Sequence, residues 1–150
     1  MRRRLRKLFT SLVLALLVAA WTMVAHAEDE APVSLVLVAN EQVPSSILSQ
    51  RQIQRIFLGK AKRWDGGLSI KPVMLHVPPV QEQFINEILE RSEESFSVYW
   101  KRMVYTGKGQ PPPSFDTSED LADYLRTTPG AIGYLPLDAD HSGLKIVTLD

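Results

Sequence analysis

The chain has 150 residues, 45% of them hydrophobic, with 17 Lys and Arg balanced by 17 Asp and Glu. This length is enough for one domain with a substantial hydrophobic core. No cysteine is present, which excludes disulfides, thiolate metal sites and a lipid-modified cysteine anchor.

The N-terminal segment has the three parts of a secretory signal peptide. Its basic part comprises Arg2, Arg3, Arg4, Arg6 and Lys7. An apolar run from Leu8 to Val24 follows, and Ala25-His26-Ala27 is an A-x-A cleavage site. We therefore predict that residues 1–27 are removed and that residues 28–150 form a periplasmic domain. The alternative is an uncleaved membrane anchor, because the run approaches the ~18 apolar residues that can span a bilayer.

The charge of the mature domain argues against a polyanionic partner. Five of the basic residues lie in the signal segment, which leaves 12 Lys and Arg against 17 Asp and Glu, a formal charge of −5. An acidic domain lacks the general basic surface that nucleic acids require. We expect no nucleic-acid partner, and membrane attachment only through the signal segment if it stays uncleaved.

The first half of the domain predicts strand, helix and strand. Val33 to Ala39 is a short apolar run of the kind found in buried strands. Ser49 is placed to cap a helix that Gly59 would end. After the turn at Asp65-Gly66-Gly67, we predict a second strand from Leu68 to Leu75, with Pro72 placing part of it at a sheet edge or an irregularity.

The second half predicts three helices and two closing strands. One helix follows Pro78-Pro79, a second runs from Glu93 to about Tyr105, and a third is capped by Thr117 or Ser118. The inward face of the second helix is predicted to contain Phe96, Tyr99, Trp100, Met103 and Val104. Residues 106–113 form a helix-free loop, and residues 131–135 and 144–149 are strands. Strands interleaved with helices predict an α/β fold, with a central mixed β-sheet flanked by helices.

Several strings, in this order, resemble one lobe of a phosphate-type periplasmic binding protein, the two-lobed receptor of an ABC importer. They are Ile56-Phe57-Leu58-Gly59-Lys60 followed by Trp64, then Trp100, Gly107-Lys108-Gly109, and Gly130-Ala131-Ile132-Gly133-Tyr134. The resemblance covers essentially the whole mature domain. It implies a single periplasmic-binding-protein-like lobe that binds phosphate or a related oxyanion, without catalysis.

The loop that would bind the ligand departs from this family. The family has an arginine and an aspartate followed by G-S-G-T, whereas this chain has Met74-Leu75-His76-Val77-Pro78-Pro79-Val80-Gln81-Glu82. Two prolines remove two potential N–H donors, and the apolar side chains cannot replace the hydration of an anion. We therefore expect weak oxyanion binding.

Four residues are the candidate ligand contacts. His76, as an imidazolium, could hold an anion, although an exposed histidine at a strand end is a commoner arrangement. Gln81 could donate from the first turn of its helix, or could simply be solvated. Thr106 and Lys108 flank a glycine and could form a backbone nest for an anion. The alternative is that this loop needs glycine for its backbone conformation.

The same segment supports a second hypothesis, a protein-interaction or accessory module. If one lobe stands alone, its cleft-facing side is exposed, and Val77, Pro78, Pro79 and Val80 would suit contact with a protein partner or a second copy. We find no motif of a catalytic nucleophile or zinc hydrolase. Asp138, Asp140 and His141 match no standard metal spacing. We predict no enzyme activity, no metal site and no cofactor.

Overall fold

The computed structural model describes residues 34–150. The predicted signal peptide and the cleavage site lie outside the described residues. The strands are β1 (Leu35–Ala39), β2 (Ile47–Leu48), β3 (Lys71–Pro72), β4 (Met74–Leu75), β5 (Ser114–Phe115), β6 (Ala131–Pro136) and β7 (Lys145–Leu149). The helices are α1 (Gln50–Phe57), α2 (Pro78–Gln83), α3 (Glu93–Tyr105) and α4 (Ser118–Thr127), and a π-helical turn (Phe84–Ile88) continues α2.

Five strands form a mixed sheet in the order β2-β7-β1-β6-β3. The central strand β1 is antiparallel to β6 and β7, whereas the outer pairs β2–β7 and β3–β6 are parallel. Strands β4 and β5 form a separate parallel pair. The predicted α/β class with a mixed sheet is therefore confirmed.

The first helix begins and ends where its sequence predicts. The Ser49 hydroxyl accepts from the Gln52 N–H at 3.3 Å, and the Ser49 N–H donates to the Gln52 side chain at 2.7 Å, which makes a capping box. At the other end Gly59 has φ 67°, the left-handed conformation that glycine adopts without strain. The apolar face of Ile53, Ile56 and Phe57 is buried.

The predicted strand over residues 68–75 is wrong in extent, since the first strand begins only at Lys71, and the chain then changes partner in the middle of the remaining segment. The Val73 N–H donates to the Ile132 carbonyl at 2.9 Å, whereas the Met74 N–H donates to the Pro113 carbonyl at 2.9 Å. One segment thus pairs first with β6, as β3, and then with β5, as β4. The proline at position 72 has no N–H and fits this break in the ladder.

Helix α3 has the predicted bounds, but one predicted core residue is wrong. Phe96 and Trp100 are buried, whereas Val104 is 45% exposed. Eight residues after Phe96, Val104 lies about 80° around the helix from it, at 3.6 residues per turn. The packed face therefore does not reach it.

Two of the strings that carry the resemblance are hydrogen-bonded to each other. The Trp64 indole N–H donates to the Gly130 carbonyl at 3.0 Å, and the Lys71 N–H donates to the same oxygen at 3.1 Å. Gly130 has φ 82°. The Gly130 carbonyl therefore fixes the segment after α1 and the start of β3 against the start of β6.

Tyr134 holds the end of β4 from within the core. Its hydroxyl donates to the Leu75 carbonyl at 3.0 Å, and its ring stacks on Phe84 with 4.0 Å between centroids. Burial raises the pKa of Tyr134 well above its usual value, so the hydroxyl stays a donor. This bond fixes the residue that directly precedes His76.

Candidate ligand-binding site

The fold places His76 at the end of β4, next to Asp116 at the end of β5. Because the two strands are parallel, their carboxyl ends meet at the same edge. The His76 Nδ1 lies 3.3 Å from an Asp116 carboxylate oxygen, with both side chains largely exposed, and the His76 N–H donates to the Phe115 carbonyl at 2.7 Å. Within residues 34–150, the only side-chain partner of His76 is thus an acid.

The start of α2 offers few donors to an anion. Pro78 and Pro79 occupy its first two positions, and the Gln81 N–H donates to the Val77 carbonyl at 2.9 Å. The Val77 cap makes no side-chain hydrogen bond, and the helix has only six residues. His76 and Gln81 are five residues apart in the sequence. The backbone between them does not present a series of free N–H groups to an anion.

One residue of the predicted interaction surface is in the core instead. Val80 is 2% exposed and belongs to the hydrophobic core, so the expectation that it faces outward is wrong. It lies four residues before buried Phe84, on the same helical face. Pro78 and Pro79 are exposed and Val77 is half-buried.

Thr106 and Lys108 belong to the end of α3. The Gly107 N–H donates to the Val104 carbonyl at 3.0 Å and the Lys108 N–H to the Met103 carbonyl at 2.9 Å, which is the Schellman pattern. The Thr106 hydroxyl donates to the Arg102 carbonyl at 2.8 Å. Because the helix uses these donors, the alternative that this glycine loop serves a backbone turn describes it better than an anion nest.

Lys108 instead lines a cavity of about 360 Å³, which we call the lysine cavity. Its basic lining residues are Lys62, Lys71 and Lys108, and its walls include Trp100 and Met103. His76 and Gln81 are not among its lining residues. No spacing pattern along the chain indicated this group, because the three lysines come from separate loops and a strand.

The acidic turn near the C-terminus is satisfied by protein donors. The Ser142 hydroxyl and N–H both donate to Asp140, and Arg126 donates to its other oxygen at 3.0 Å. The Ser142 hydrogen bonds, followed by the Arg126 charge, hold the pKa of Asp140 below its usual value. Within residues 34–150, no group of three His, Asp or Glu side chains is arranged to hold a metal ion.

Across residues 34–150, none of the helices has the length and apolar character needed to span a bilayer.

No model of a protein family matches the chain, and no curated protein is significantly similar to it. Solved structures do match. A phosphate transport receptor from Vibrio cholerae is 13% identical with a TM-score of 0.59, over 77% of this chain and 45% of the receptor. A putative phosphate ABC transporter substrate-binding protein from Clostridium perfringens, solved with bound phosphate, is 23% identical with a TM-score of 0.58, over 77% and 44%.

PstS from Borrelia burgdorferi is a further match, 12% identical with a TM-score of 0.58, over 78% of this chain and 47% of PstS. The chain thus spans less than half the length of each of these proteins. The extent of the match agrees with one lobe of a two-lobed receptor, as the sequence strings predicted. Residues 34–150 therefore have the fold of a single lobe of the phosphate-type periplasmic binding proteins.

Proposed function

We propose that this chain is a non-catalytic, exported substrate-binding-protein-like domain that takes phosphate or a related oxyanion, bound weakly at the His76–Gln81 segment. The fold supports a binding role, since the matched proteins are phosphate receptors and one contains phosphate. Periplasmic localisation follows from the signal-peptide pattern of residues 1–27. Fold alone does not specify a site, so the affinity is argued from the segment itself.

The expectation of weak binding rests on the pairing of His76 with Asp116. An anion that approaches His76 also approaches a carboxylate 3.3 Å away, and this repulsion offsets the attraction. Exposed Glu82 adds a second negative charge close by along the chain. Prolines 78 and 79 supply no N–H groups to compensate for lost hydration.

Titration calorimetry with inorganic phosphate tests this proposal. We expect a Kd in the millimolar range, about −4 kcal/mol of binding free energy. Asp116→Asn should strengthen binding several-fold because it removes the competing carboxylate. Asp65→Asn, a change of the same charge at an exposed turn position, serves as the control. Sub-micromolar binding by the unmodified monomer would contradict the proposal.

A second candidate function is a protein contact through the interaction surface, now reduced to Val77, Pro78 and Pro79. The observation that favours it is the exposure of two adjacent prolines on a rigid helix start. A partner could dock there without ordering a flexible loop, which lowers the entropic cost of association. A second copy of the chain or another envelope protein would meet this requirement.

Cross-linking in the periplasm, followed by sedimentation of the purified chain, tests the contact. Pro79→Asp should abolish a cross-linked partner or dimer, because it places a charge in the apolar contact. Asn86→Asp adds the same charge at an exposed position in the following π-helical turn and should leave the partner bound. Equal capture by the two variants would remove this surface from consideration.

A further inference from the structure

No residue of the His76–Gln81 segment lines the lysine cavity. It is bounded by the turn after α1, by β3, by α3 and by the loop that leads into β5. Its volume of about 360 Å³ falls within the range of small-molecule sites, about 300–1,000 Å³. At about 30 Å³ per water, this is room for roughly twelve waters, more than a single inorganic oxyanion fills.

The charge around the cavity has one sign. Lys62, Lys71 and Lys108 line it, and no Asp or Glu is among the lining residues. Within residues 34–150, none of these three ammonium groups forms a salt bridge. Three like charges around one cavity create a positive potential, which a bound anion would relieve.

The remaining wall is apolar and aromatic. Trp100 is 6% exposed, and Met103 and Pro112 also line the cavity. The absence of a side chain at Gly59 leaves room for the indole, since a Cβ there would lie 3.0 Å from one of its ring carbons. This wall would suit the apolar part of a ligand rather than a bare ion.

Trp100 also has a donor without an acceptor. Its indole Nε1 is buried and makes no hydrogen bond within the described part of the chain. Buried donors are almost always paired, and an unpaired one costs about 1–3 kcal/mol. This nitrogen has less than 1 Å² of accessible surface, so it does not face the cavity, and no ligand contact is assigned to it.

We infer that the lysine cavity binds a phosphate monoester, a dianionic head group attached to a small apolar or aromatic body. The three lysines would hold the dianion, and Trp100, Met103 and Pro112 would cover the body. The cavity shares no lining residue with the His76–Gln81 segment, so binding in the cavity does not depend on the proposed function.

Calorimetry with phenyl phosphate, inorganic phosphate and phenol tests the inference. Because phenyl phosphate combines both features, it should bind at least tenfold more tightly than inorganic phosphate and than phenol. Raising the salt concentration should weaken the binding of phenyl phosphate, since the three lysines are exposed. Equal affinity for phenyl phosphate and inorganic phosphate would overturn the inference, because the apolar wall would then contribute nothing.

Matched variants locate the binding. The triple change Lys62→Gln, Lys71→Gln and Lys108→Gln should lower phenyl phosphate affinity at least tenfold and leave the melting temperature nearly unchanged. Lys60→Gln, an exposed lysine near the cavity but outside its lining, should leave the affinity as it is. Full retention of binding by the triple variant would overturn the site.

Asp116→Asn separates this inference from the proposed function. The substitution should alter inorganic phosphate binding at His76 and leave phenyl phosphate binding unchanged. If it alters phenyl phosphate binding to the same degree, that ligand sits at the His76 edge and the lysine cavity is not its site.

Discussion

Replacing Gly130 with alanine should destabilise the domain more than the same replacement at any other glycine of residues 34–150. Its φ of 82° is strained for a side-chain-bearing residue, at a cost of about 1–3 kcal/mol. An added Cβ would also lie 2.1 Å from the Ser69 carbonyl oxygen and 3.2 Å from Leu68 Cγ. Overpacking typically adds about 1–3 kcal/mol. We expect a loss of more than about 3 kcal/mol, a large part of the roughly 5–15 kcal/mol that stabilises a domain.

Gly143→Ala provides the matched control. Gly143 has φ 71°, but no atom lies within 4 Å of an added Cβ. It should therefore show the cost of the backbone conformation without the clash. Urea unfolding followed by far-UV circular dichroism measures both variants. Equal losses at the two positions would show that the close approach of Ser69 does not matter.

Asn40→Ala should lower the free energy of unfolding by about 2–4 kcal/mol, because it leaves one buried and one part-buried carbonyl without their side-chain donor. Asn40 is 4% exposed. Its side-chain N–H groups donate to the carbonyls of Leu125 at 2.7 Å and Arg126 at 3.0 Å, and its oxygen accepts from the Gln42 N–H at 3.0 Å. One amide thus ties the end of β1 to the last turn of α4.

The control for this change is Asn86→Ala, which removes an exposed amide. Surface changes of this kind usually shift stability by less than about 0.5 kcal/mol. Thermal and urea unfolding of both variants give the comparison. Indistinguishable stabilities would mean that water replaces the Asn40 donors without cost.

Contacts within and beside β6 bear on function because they position the candidate sites. The Gly130 carbonyl accepts from Lys71, a residue of the lysine cavity. Four residues later, Tyr134 holds the Leu75 carbonyl, one residue before His76. We therefore expect Gly130→Ala to lower both the ligand affinity of the lysine cavity and the stability of the domain.

Local signals in the sequence predicted most of the elements. Helix ends depend on residues close to them in the sequence, so they can be predicted without tertiary context. Examples are the Ser49 cap, the Gly59 stop and the Thr117 cap. The strand over residues 68–75 was predicted less well. Its change of partner at residue 73 depends on where β5 and β6 lie, which no local window contains.

The candidate site was predicted only in part for the same reason. The prolines at 78 and 79 already indicated a poor anion site, since a missing N–H is a property of the residue itself. The Asp116 carboxylate beside His76 follows a strand that is distant along the chain. Likewise, the sequence alone does not show which face of α2 packs inward, and Val80 lies on that buried face.

Short-range periodicity, helix caps and ordered strings were enough to predict the α/β class, the helix ends and the resemblance to one lobe of a phosphate receptor. Which charges meet became known only from the folded chain. Folding pairs His76 with an acid, brings three lysines to the lining of one cavity and uses the Gly107 loop to end a helix. Electrostatic and packing effects depend on distances through space, and the order of residues along the chain does not contain those distances.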